Sequence, residues 1–499
     1  MLKTILITFF FLPSLTALAE SISSQAKNIA DYSVATYRQQ VIESLSEMVK
    51  FKTIAVEGQS IDDNPEFINY KLYLEKLSES LGFDFEDHGY IVLISFGAQQ
   101  NRLGILTHGD VQPADPSKWA SDPFRLDSNS EPGLLIARGT EDDKSSIASV
   151  LYAMKSVKDN GVKLNKSIEL IIYFAEESDW GPFKNFLESY KPPEMSVTLD
   201  ASYPVVTAEK GYSSISFDIP AVDKIYETAF IKSFAGGVFA SQVPEDATVV
   251  IRNASKFLLD RLREESKRYR EIEFTFDLTK TTLHIAAKGI SAHSAEPENG
   301  INAIAFLAKL LENENWPQTT ASLAVNFINE LVGTGYYAET FGQIAYQHDF
   351  MGKLTLVASI VKPSDTGIHI NLNLRRPKGK STSLLVAQTS KAMKRWQRVH
   401  STALENIEIV YGDYLLLNQA EQVAPLLDIF AHFTERKDSK PISIGGSTNA
   451  QLLPNTVSFG PSMPGEKYTG HSEHEFISVK QLELNLKMYT AMIIELGNL

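Results

Sequence analysis

Three segments of the chain share one pattern, in which an apolar run ends abruptly in acidic or imidazole side chains. They are RLGILTHGD (102–110), SIELIIYFAEE (167–177) and MSVTLDASYP (195–204). Between the first two, the apolar residues of segment 147–157 follow the i, i+3, i+4 spacing of an amphipathic helix. Asp142 or Asp143 could cap its start, and Gly161 its end. This alternation predicts an α/β domain with a mainly parallel sheet flanked by helices.

The length of the chain predicts more than one folding unit. At 499 residues it exceeds the ~250–300 residues at which a single core stops growing. After about Gly211 alternating strands mix with a charged helix, and from about Gln419 a helical segment leads into a glycine-rich stretch and a final helix from Val479. We therefore predict a main domain, residues 20–211 and 419–499, interrupted by an inserted α+β lid domain at 212–418.

The composition excludes some classes of partner and ligand. The formal net charge is -14, and no run of Lys and Arg alternates with aromatic residues, so the electrostatic attraction that drives nucleic-acid binding is missing. The chain contains no cysteine, which excludes disulfides and thiolate ligands. Any bound metal must therefore be held by His, Asp and Glu.

The first 19 residues, MLKTILITFFFLPSLTALA, are typical of a secretory signal peptide. They combine a lone Lys3, an apolar run and a small-x-small site that ends at Ala19. The apolar run is shorter than the ~20 residues that span a bilayer, which disfavours a membrane anchor. We predict cleavage after Ala19 and secretion without further membrane contact. We expect the periplasm, with the extracellular space as the alternative.

Candidate metal ligands follow the strand-like runs or lie in turns. Two cations ~3.5–4 Å apart need a carboxylate between them and a base beside the shared water. Oxygen and nitrogen ligands suit zinc, manganese or cobalt. Asp110 could accept a proton from the second imidazole nitrogen of His108 and so fix its tautomer. The candidate ligands are His108, Asp142, Glu177, Asp200 and His471.

Glu176 and Glu177 are consecutive carboxylates at the end of the second apolar run. Side chains of neighbouring residues diverge on an extended backbone. One carboxylate can therefore hold a metal while the other takes a proton from water.

The order of seven motifs resembles that of the M20 metallopeptidases. The likeness covers about residues 40–490 and is greatest for the longer dipeptidase branch, similar to the PepV and carnosinase type. The motifs that carry it are THGDVQP, ARGTEDDKSS, FAEES.W, LDASYPVVTAEKG, GISAHSAEPENGINA, GGSTNAQLLPN and GHSEHEF.

The resemblance implies a metal centre in which one aspartate bridges two cations. One metal would be bound by His108, Asp142 and Asp200. The other would be bound by Asp142, Glu177 and His471. The family often has a cis peptide bond after the bridging aspartate, which here is Asp142.

The resemblance also implies the roles of residues around the metals. Glu176 corresponds to the general base, and Asp110 to the residue that orients a ligand. His293 corresponds to a lid histidine that stabilises the oxyanion. Arg375 corresponds to an arginine that binds the terminal carboxylate of the substrate.

This sequence departs from the family pattern at three places. The lid sequence N-x-V-P is replaced here by a sequence that begins with Ser241. The glycine loop of the family commonly reads Thr-Tyr-Ala-Arg, whereas this chain has Thr448, Asn449, Ala and Gln in these four positions. The arginine that binds carboxylates in the family is therefore missing. The last motif has His474 where the family tends to Asn, and His474 is therefore a rival to His471. Ser241, Thr448 and Asn449 remain candidate substrate contacts.

Together these features predict an enzyme that hydrolyses the amide bond of dipeptides or short peptides with a free C-terminal carboxylate. Its cofactors would be two divalent ions, zinc in the first place and manganese or cobalt as alternatives. An N-acyl-amino-acid amidohydrolase on the same scaffold is the alternative, and a catalytically inactive binding protein is a remote one. Because a long lid can complete the site within one chain, we expect a monomer, with a dimer as the alternative.

Overall fold

The computed structural model describes residues 22–222, 224, 226–417 and 419–499. The predicted signal peptide, with its cleavage site after Ala19, and the predicted boundary residue Asn418 lie outside the described residues. The chain divides into two compact units. The first unit comprises the described residues up to Glu177, with Glu421–Lys440 and Lys467–Leu499; the second comprises Ser178–Ala420 and Pro441–Glu466. The predicted domain boundaries stay predictions.

The described residues form ten α-helices. They are α1 (Ser24–Met48), α2 (Pro65–Leu81), α3 (Lys144–Asp159), α4 (Gly181–Leu187), α5 (Lys256–Ser266), α6 (Ala303–Leu311), α7 (Thr320–Phe327), α8 (Thr382–His400), α9 (Val423–Thr434) and α10 (Val479–Gly497). None of the helices in this part of the chain is both long and apolar enough to cross a membrane.

The same residues form 25 strands, several of only two residues. They are β1 (Asp84–Asp87), β2 (Ile91–Phe96), β3 (Arg102–His108), β4 (Leu134–Ile136), β5 (Ser167–Tyr173), β6 (Met195–Thr198), β7 (Ala201–Ser202), β8 (Val206–Glu209), β9 (Gly211–Pro220), β10 (Phe230–Gly236), β11 (Gln242–Val243), β12 (Asp246–Arg252), β13 (Glu273–Thr279), β14 (Thr282–Lys288), β15 (Ala292–His293), β16 (Gln347–His348), β17 (Gly352–Lys353), β18 (Thr355–Pro363), β19 (Gly367–Arg376), β20 (Glu405–Tyr411), β21 (Leu415–Leu416), β22 (Ile442–Ile444), β23 (Thr456–Ser458), β24 (Pro461–Ser462) and β25 (Phe476–Ser478).

The strands of the first unit follow the order β1-β2-β5-β3. β3 and β5, the first two predicted apolar runs, pair in parallel, with His108 opposite Tyr173. Both strands are almost wholly buried, as parallel strands covered by helices are. β1 and β2 pair antiparallel, because their short connection permits only a hairpin. The α/β class is confirmed, with parallel pairs accompanied by antiparallel ones.

Helices α1, α3 and α10 pack against one another in the first unit, and α9 packs against α10. The predicted helix is α3, and it ends before Gly161, which has a φ of 59°. Of the two aspartates predicted as alternatives for the start of α3, Asp143 is the one at the N-cap. Asp143 occupies the N-cap position without a capping hydrogen bond, since its φ of −136° and ψ of 15° depart from the extended backbone that N-caps adopt.

The second unit contains an eight-stranded sheet in the order β13-β14-β12-β10-β18-β19-β9-β20, in which neighbouring strands pair antiparallel. Buried residues alternate along β9 and β12, as expected of a sheet with one covered face. Helices α6 and α7 contact β12 and β10 and supply the rest of this core. This is the α+β architecture that was predicted for the inserted segment.

The second unit also contains a group of short strands around β8. β6 and β23 pair in parallel, as do β8 and β22, whereas β21 and β23 pair with β8 antiparallel. Beside them the third predicted run ends at Thr198, and β7 pairs with β24. The loop between β22 and β23 thus begins and ends in strands that are anchored on β8.

Candidate metal centre

His108 is the last residue of β3 and is fully buried. Its Nε2 lies 2.7 Å from Asp142 Oδ1, and its Nδ1 lies 3.0 Å from the backbone oxygen of Asp110. A carbonyl oxygen only accepts hydrogen bonds, so Nδ1 carries a proton and Nε2 is directed at the carboxylate. Nε2 is therefore the atom of His108 that can bind a metal.

Asp110 supports the site differently from the prediction. Its carboxylate oxygens accept the backbone N–H groups of Glu176 and Glu177 at 3.1 and 3.0 Å. Oδ1 lies 3.5 Å from His108 Nδ1, farther than the Asp110 carbonyl oxygen. The backbone of Asp110 thus orients the histidine, because its carboxylate is committed to the turn that carries the two glutamates.

Asp142 lies in the turn before α3 and presents one carboxylate oxygen to each of two imidazoles. Oδ1 faces His108 at 2.7 Å, and Oδ2 lies 3.0 Å from His471 Nε2. Tyr468 also donates its hydroxyl proton to Oδ2. Burial alone would raise the pKa of Asp142, but the hydrogen bonds and charges of the two histidines hold it well below the usual range. The predicted cis peptide bond follows Asp142.

His471 completes the group through Glu177. Its Nε2 lies 2.8 Å from Glu177 Oε1, and Glu177 Oε2 accepts a hydrogen bond from Gln112 at 2.9 Å. His471 has a φ of 63°, a left-handed conformation that is rare for a residue with a side chain. Burial lowers the pKa of His471, but the charge of Glu177 and the bond to Asp142 outweigh it and raise this pKa well above its ordinary value.

His474, the rival of His471, lies elsewhere. Its Nε2 forms an ion pair with Glu131 at 3.1 Å, and both side chains are 49% exposed. The structure therefore brings His471, and not His474, into contact with the two carboxylates of this cluster.

The four side chains suit a divalent cation. Potential ligand atoms of His108, Asp142 and Glu177 lie within 4.8 Å of one another. His471 Nε2 is within hydrogen-bond distance of both the Asp142 and the Glu177 carboxylates. Two imidazoles and two carboxylates, with a carboxylate between the imidazoles, are the donors that zinc, manganese or cobalt prefer. The donors present thus fit the predicted metal centre.

Glu176 and Asp200 are the remaining predicted residues of this centre. Glu176 lies in a turn, because β5 ends at Tyr173, so the prediction of an extended backbone at the glutamate pair is wrong. Both glutamate N–H groups bind the carboxylate of Asp110, which pulls the chain out of the strand. Asp200 belongs to the second unit, between β6 and β7, and its role as a ligand stays a prediction.

Three predicted substrate contacts lie near one another in the second unit. His293 is exposed in β15, which pairs with β11, and the backbone oxygen of Ser241 accepts the N–H of Ser294 at 2.8 Å. Arg375 Nη2 lies 3.4 Å from Ser294 Oγ, and its guanidinium stacks on the ring of Tyr212. The structure thus brings Ser241, His293 and Arg375 to one region of this unit.

Arg375 is a buried cation. It is 4% exposed, and this burial lowers its pKa to about 10. In the part of the chain that the structure describes, no acidic side chain forms an ion pair with it. Its side-chain hydrogen bonds go to the neutral groups of Asn373 and Ser294, and a buried guanidinium that lacks an acidic partner is suited to bind a carboxylate from outside.

Thr448 and Asn449 lie in the loop between β22 and β23. Thr448 donates its backbone N–H and its hydroxyl to Glu209 at 2.9 and 2.7 Å. The side chain of Asn449 is fully buried, and within the described residues its amide has no hydrogen-bond partner. A Cβ atom on Gly445 would lie 2.2 Å from the backbone oxygen of Ala295, so this glycine lets the loop approach the His293 segment.

Several residues with evident roles were not predicted. Glu209 organises the glycine loop, and Tyr468 contacts Asp142. Arg138, Glu141 and Glu475 surround the turn before α3. Four of them lie inside the quoted motifs, beside residues to which a role had been given, and Tyr468 lies two positions before the last motif.

Comparisons with known proteins found a matching family and similar chains. Residues 104–495 match the model of a family described as Peptidase family M20/M25/M40. The YtjP protein of Bacillus subtilis (strain 168) is 27% identical over 469 residues, which cover 92% of this chain and 98% of that protein. The Beta-Ala-Xaa dipeptidase of Lactobacillus delbrueckii subsp. lactis is 25% identical over 420 residues, covering 83% and 86% respectively. The crystal structure of human carnosine dipeptidase 1 has a TM-score of 0.59 at 14% identity, covers 96% and 100% of the two chains, and shows a similar fold.

Proposed function

This chain belongs to peptidase family M20/M25/M40, and from that premise we propose that it is a secreted dipeptidase with a dinuclear metal centre. The observation that carries the proposal is the convergence of His108, Asp142, Glu177 and His471, with Asp142 between the two imidazoles. The names of relatives support the dipeptide substrate, since one is a Beta-Ala-Xaa dipeptidase.

Four residues of the first unit would hold the cations, and Asp200 is the proposed fifth ligand. When bound, a pair of divalent ions, zinc in the first place, would polarise the scissile carbonyl and acidify the attacking water. Glu176 takes a proton from that water and passes it to the leaving amine nitrogen. The carboxylate of Asp110 accepts the backbone N–H groups of Glu176 and Glu177 and thereby fixes the backbone from which these two side chains extend.

Residues of the second unit would bind the rest of the substrate. Arg375 is buried and free of acidic partners in the described part of the chain, which supports binding of the C-terminal carboxylate. His293 donates a hydrogen bond to the carbonyl oxygen as negative charge develops on it. Thr448 and Asn449 would contact the substrate from the glycine loop. Secretion, with the periplasm as the expected location, rests on the first 19 residues.

The proposed base can be tested with Glu176→Gln, which keeps the size of the side chain and removes its basicity. We expect turnover of a dipeptide to fall by about 10²–10⁴-fold, as for loss of a general base, while the zinc content stays at the wild-type value. Elemental analysis and a dipeptide assay measure the two quantities. Glu131→Gln, an exposed carboxylate of the same unit, is the matched control and should keep full activity. Unchanged turnover of Glu176→Gln would refute the assignment.

The substrate class needs a separate comparison. Dipeptides and N-acyl amino acids with the same C-terminal residue both offer a carboxylate to Arg375, and they differ in whether a free amino group precedes the scissile bond. The zinc-loaded mature chain should prefer the dipeptides in kcat/KM. A preference for the N-acyl amino acids would identify the amidohydrolase instead, and binding without turnover would identify a binding protein.

A further inference from the structure

Glu475 is a fully buried carboxylate that binds the turn carrying Asp142. Its Oε1 accepts the backbone N–H groups of Gly139, Glu141 and Asp142 at 3.0, 2.9 and 3.0 Å. Its Oε2 pairs with Arg138 at 2.6 Å. The Glu475 side chain thus fixes three backbone N–H groups of the turn that leads to Asp142. Hydrogen bonds to an ionised acceptor are stronger than neutral ones, so this turn has little freedom to move.

Glu141 makes the converse connection. It directly precedes Asp142, and its Oε2 accepts the backbone N–H and the hydroxyl of Thr469, both at 2.6 Å, and the N–H of Gly470 at 3.1 Å. These two residues directly precede His471. The carboxylate beside one metal-ligand candidate therefore binds the backbone beside the other.

Arg138 ties a third segment to the same point. Its Nη2 donates to the backbone oxygen of Ser472 at 3.1 Å and to that of Pro113 at 3.4 Å. Ser472 follows His471, and Pro113 ends the segment that begins at His108. The guanidinium is 3% exposed, and it supplies the positive charge that a buried carboxylate such as Glu475 needs.

We propose that Glu141 and Glu475 form a reciprocal clamp, in which each carboxylate binds the backbone of the loop that the other one flanks. The clamp fixes the separation of Asp142 and His471 before any cation is bound, and Arg138 extends it to the His108 segment. Glu141 and Glu475 are therefore positioning residues that set the affinity for the metal. This inference rests on the proposed function to the extent that Asp142 and His471 are metal ligands.

The test measures zinc affinity separately from activity and stability. The full mature chain, freed of metal, is titrated with Zn²⁺ in competition with a chelator, and its visible absorption is recorded with Co²⁺. We expect Glu475→Gln and Glu141→Gln to weaken Zn²⁺ binding by about 10–100-fold, the usual effect of losing a partner that holds metal ligands in place. The Co²⁺ absorption bands should shift as well, because they report the geometry of the ligands.

Glu169→Gln is the matched control, because Glu169 is also a buried partner of an arginine in the first unit. It binds Arg102 at 2.8 Å. It lies four residues before Tyr173 in β5, and Tyr173 is opposite the candidate ligand His108, so Glu169 is about 13 Å along the strand from the candidate metal centre. This variant should lose thermal stability but keep the Zn²⁺ affinity and the Co²⁺ spectrum of the wild type.

Each outcome decides the matter. Wild-type Zn²⁺ affinity and Co²⁺ spectra in both clamp variants would overturn the proposal and leave the proposed function intact. If Glu475→Gln does not fold, Glu141→Gln decides alone, because it leaves the Arg138–Glu475 pair in place. If the wild type itself binds no Zn²⁺, the metal centre of the proposed function fails, and the clamp loses its purpose with it.

Discussion

Asp142 illustrates how much of the site is decided at single residues. Its two oxygens face two different imidazoles, which is the arrangement required of a carboxylate that bridges two cations. The sequence predicted this residue and His471 from their places in motifs, and it left His474 as a rival of His471. The contacts separate the two histidines, which lie three positions apart: the side chain of His471 faces Glu177, whereas that of His474 faces Glu131.

Glu209 supports a prediction about pH. It is fully buried, and burial raises its pKa from 4.5 to about 7, although hydrogen bonds from Thr448, Gln451 and Ser458 oppose the rise. An acid whose pKa is raised by folding stabilises the fold below its unfolded pKa, and this stability is lost as the pH rises through the folded pKa. The stabilisation should therefore be present near pH 4.5 and absent above pH 7.

Glu209→Gln should remove this dependence, since the amide does not titrate. Between pH 5 and pH 8 the free energy of unfolding of the wild type should fall by about 2 kcal/mol relative to that of the variant. Urea unfolding of both proteins at the two pH values measures the difference. Parallel profiles for wild type and variant would show that Glu209 keeps an ordinary pKa.

At the scale of elements, the chain follows its hydrophobic pattern within strands and helices and departs from it where they end. α3 and α10 form where their spacing predicts, because their apolar faces are buried against each other. The extended backbone was predicted to continue to the glutamate pair, but β5 ends at Tyr173. The carboxylate of Asp110, which is distant in sequence, accepts the backbone N–H groups of Glu176 and Glu177 and holds them in a turn. Local pattern cannot predict a boundary that a distant side chain sets.

The glycine loop between β22 and β23 allows a test of such an element. In Gly445→Ala the new Cβ would meet the backbone oxygen of Ala295 at 2.2 Å, so the loop and the His293 segment must separate. We expect a loss of about 1–3 kcal/mol in the free energy of unfolding, as for an overpacked site, and a raised KM for a dipeptide.

Gly446→Ala is the control for this loop. A Cβ at Gly446 would meet only the Ile444 side chain, at an ordinary 3.8 Å. Stability and KM should remain near the wild-type values, although the composition of the loop changes by the same single methyl group. Equal effects of the two substitutions would mean that the close approach to Ala295 has no part in substrate binding.

At the scale of the whole molecule, the sequence predicted the family and the α/β class, because long periodic patterns and ordered motifs are read directly from it. It did not predict Glu141, Arg138 or Glu475. Their roles depend on backbone groups that become neighbours only after residues more than 300 positions apart have folded together. Motifs indicate candidate ligands, whereas the side chains that hold those candidates in place are found only in the structure.

The same long-range connection predicts how the protein responds to loss of metal. The cluster joins the end of β3, the turn before α3 and the loop before β25, so cations bound there stabilise contacts between distant parts of the first unit. A ligand that binds only the folded state at 100 times its Kd adds about 2.7 kcal/mol to the free energy of unfolding. Treatment with a chelator should therefore lower the Tm by several degrees, and added Zn²⁺ should restore it.

Asp142→Asn is the decisive comparison, because it weakens the ligand that the two cations would share. The Tm of this variant should be low from the start and should respond little to chelator or Zn²⁺. A wild-type Tm that is insensitive to chelation would show that the cluster binds no cation that matters for the fold.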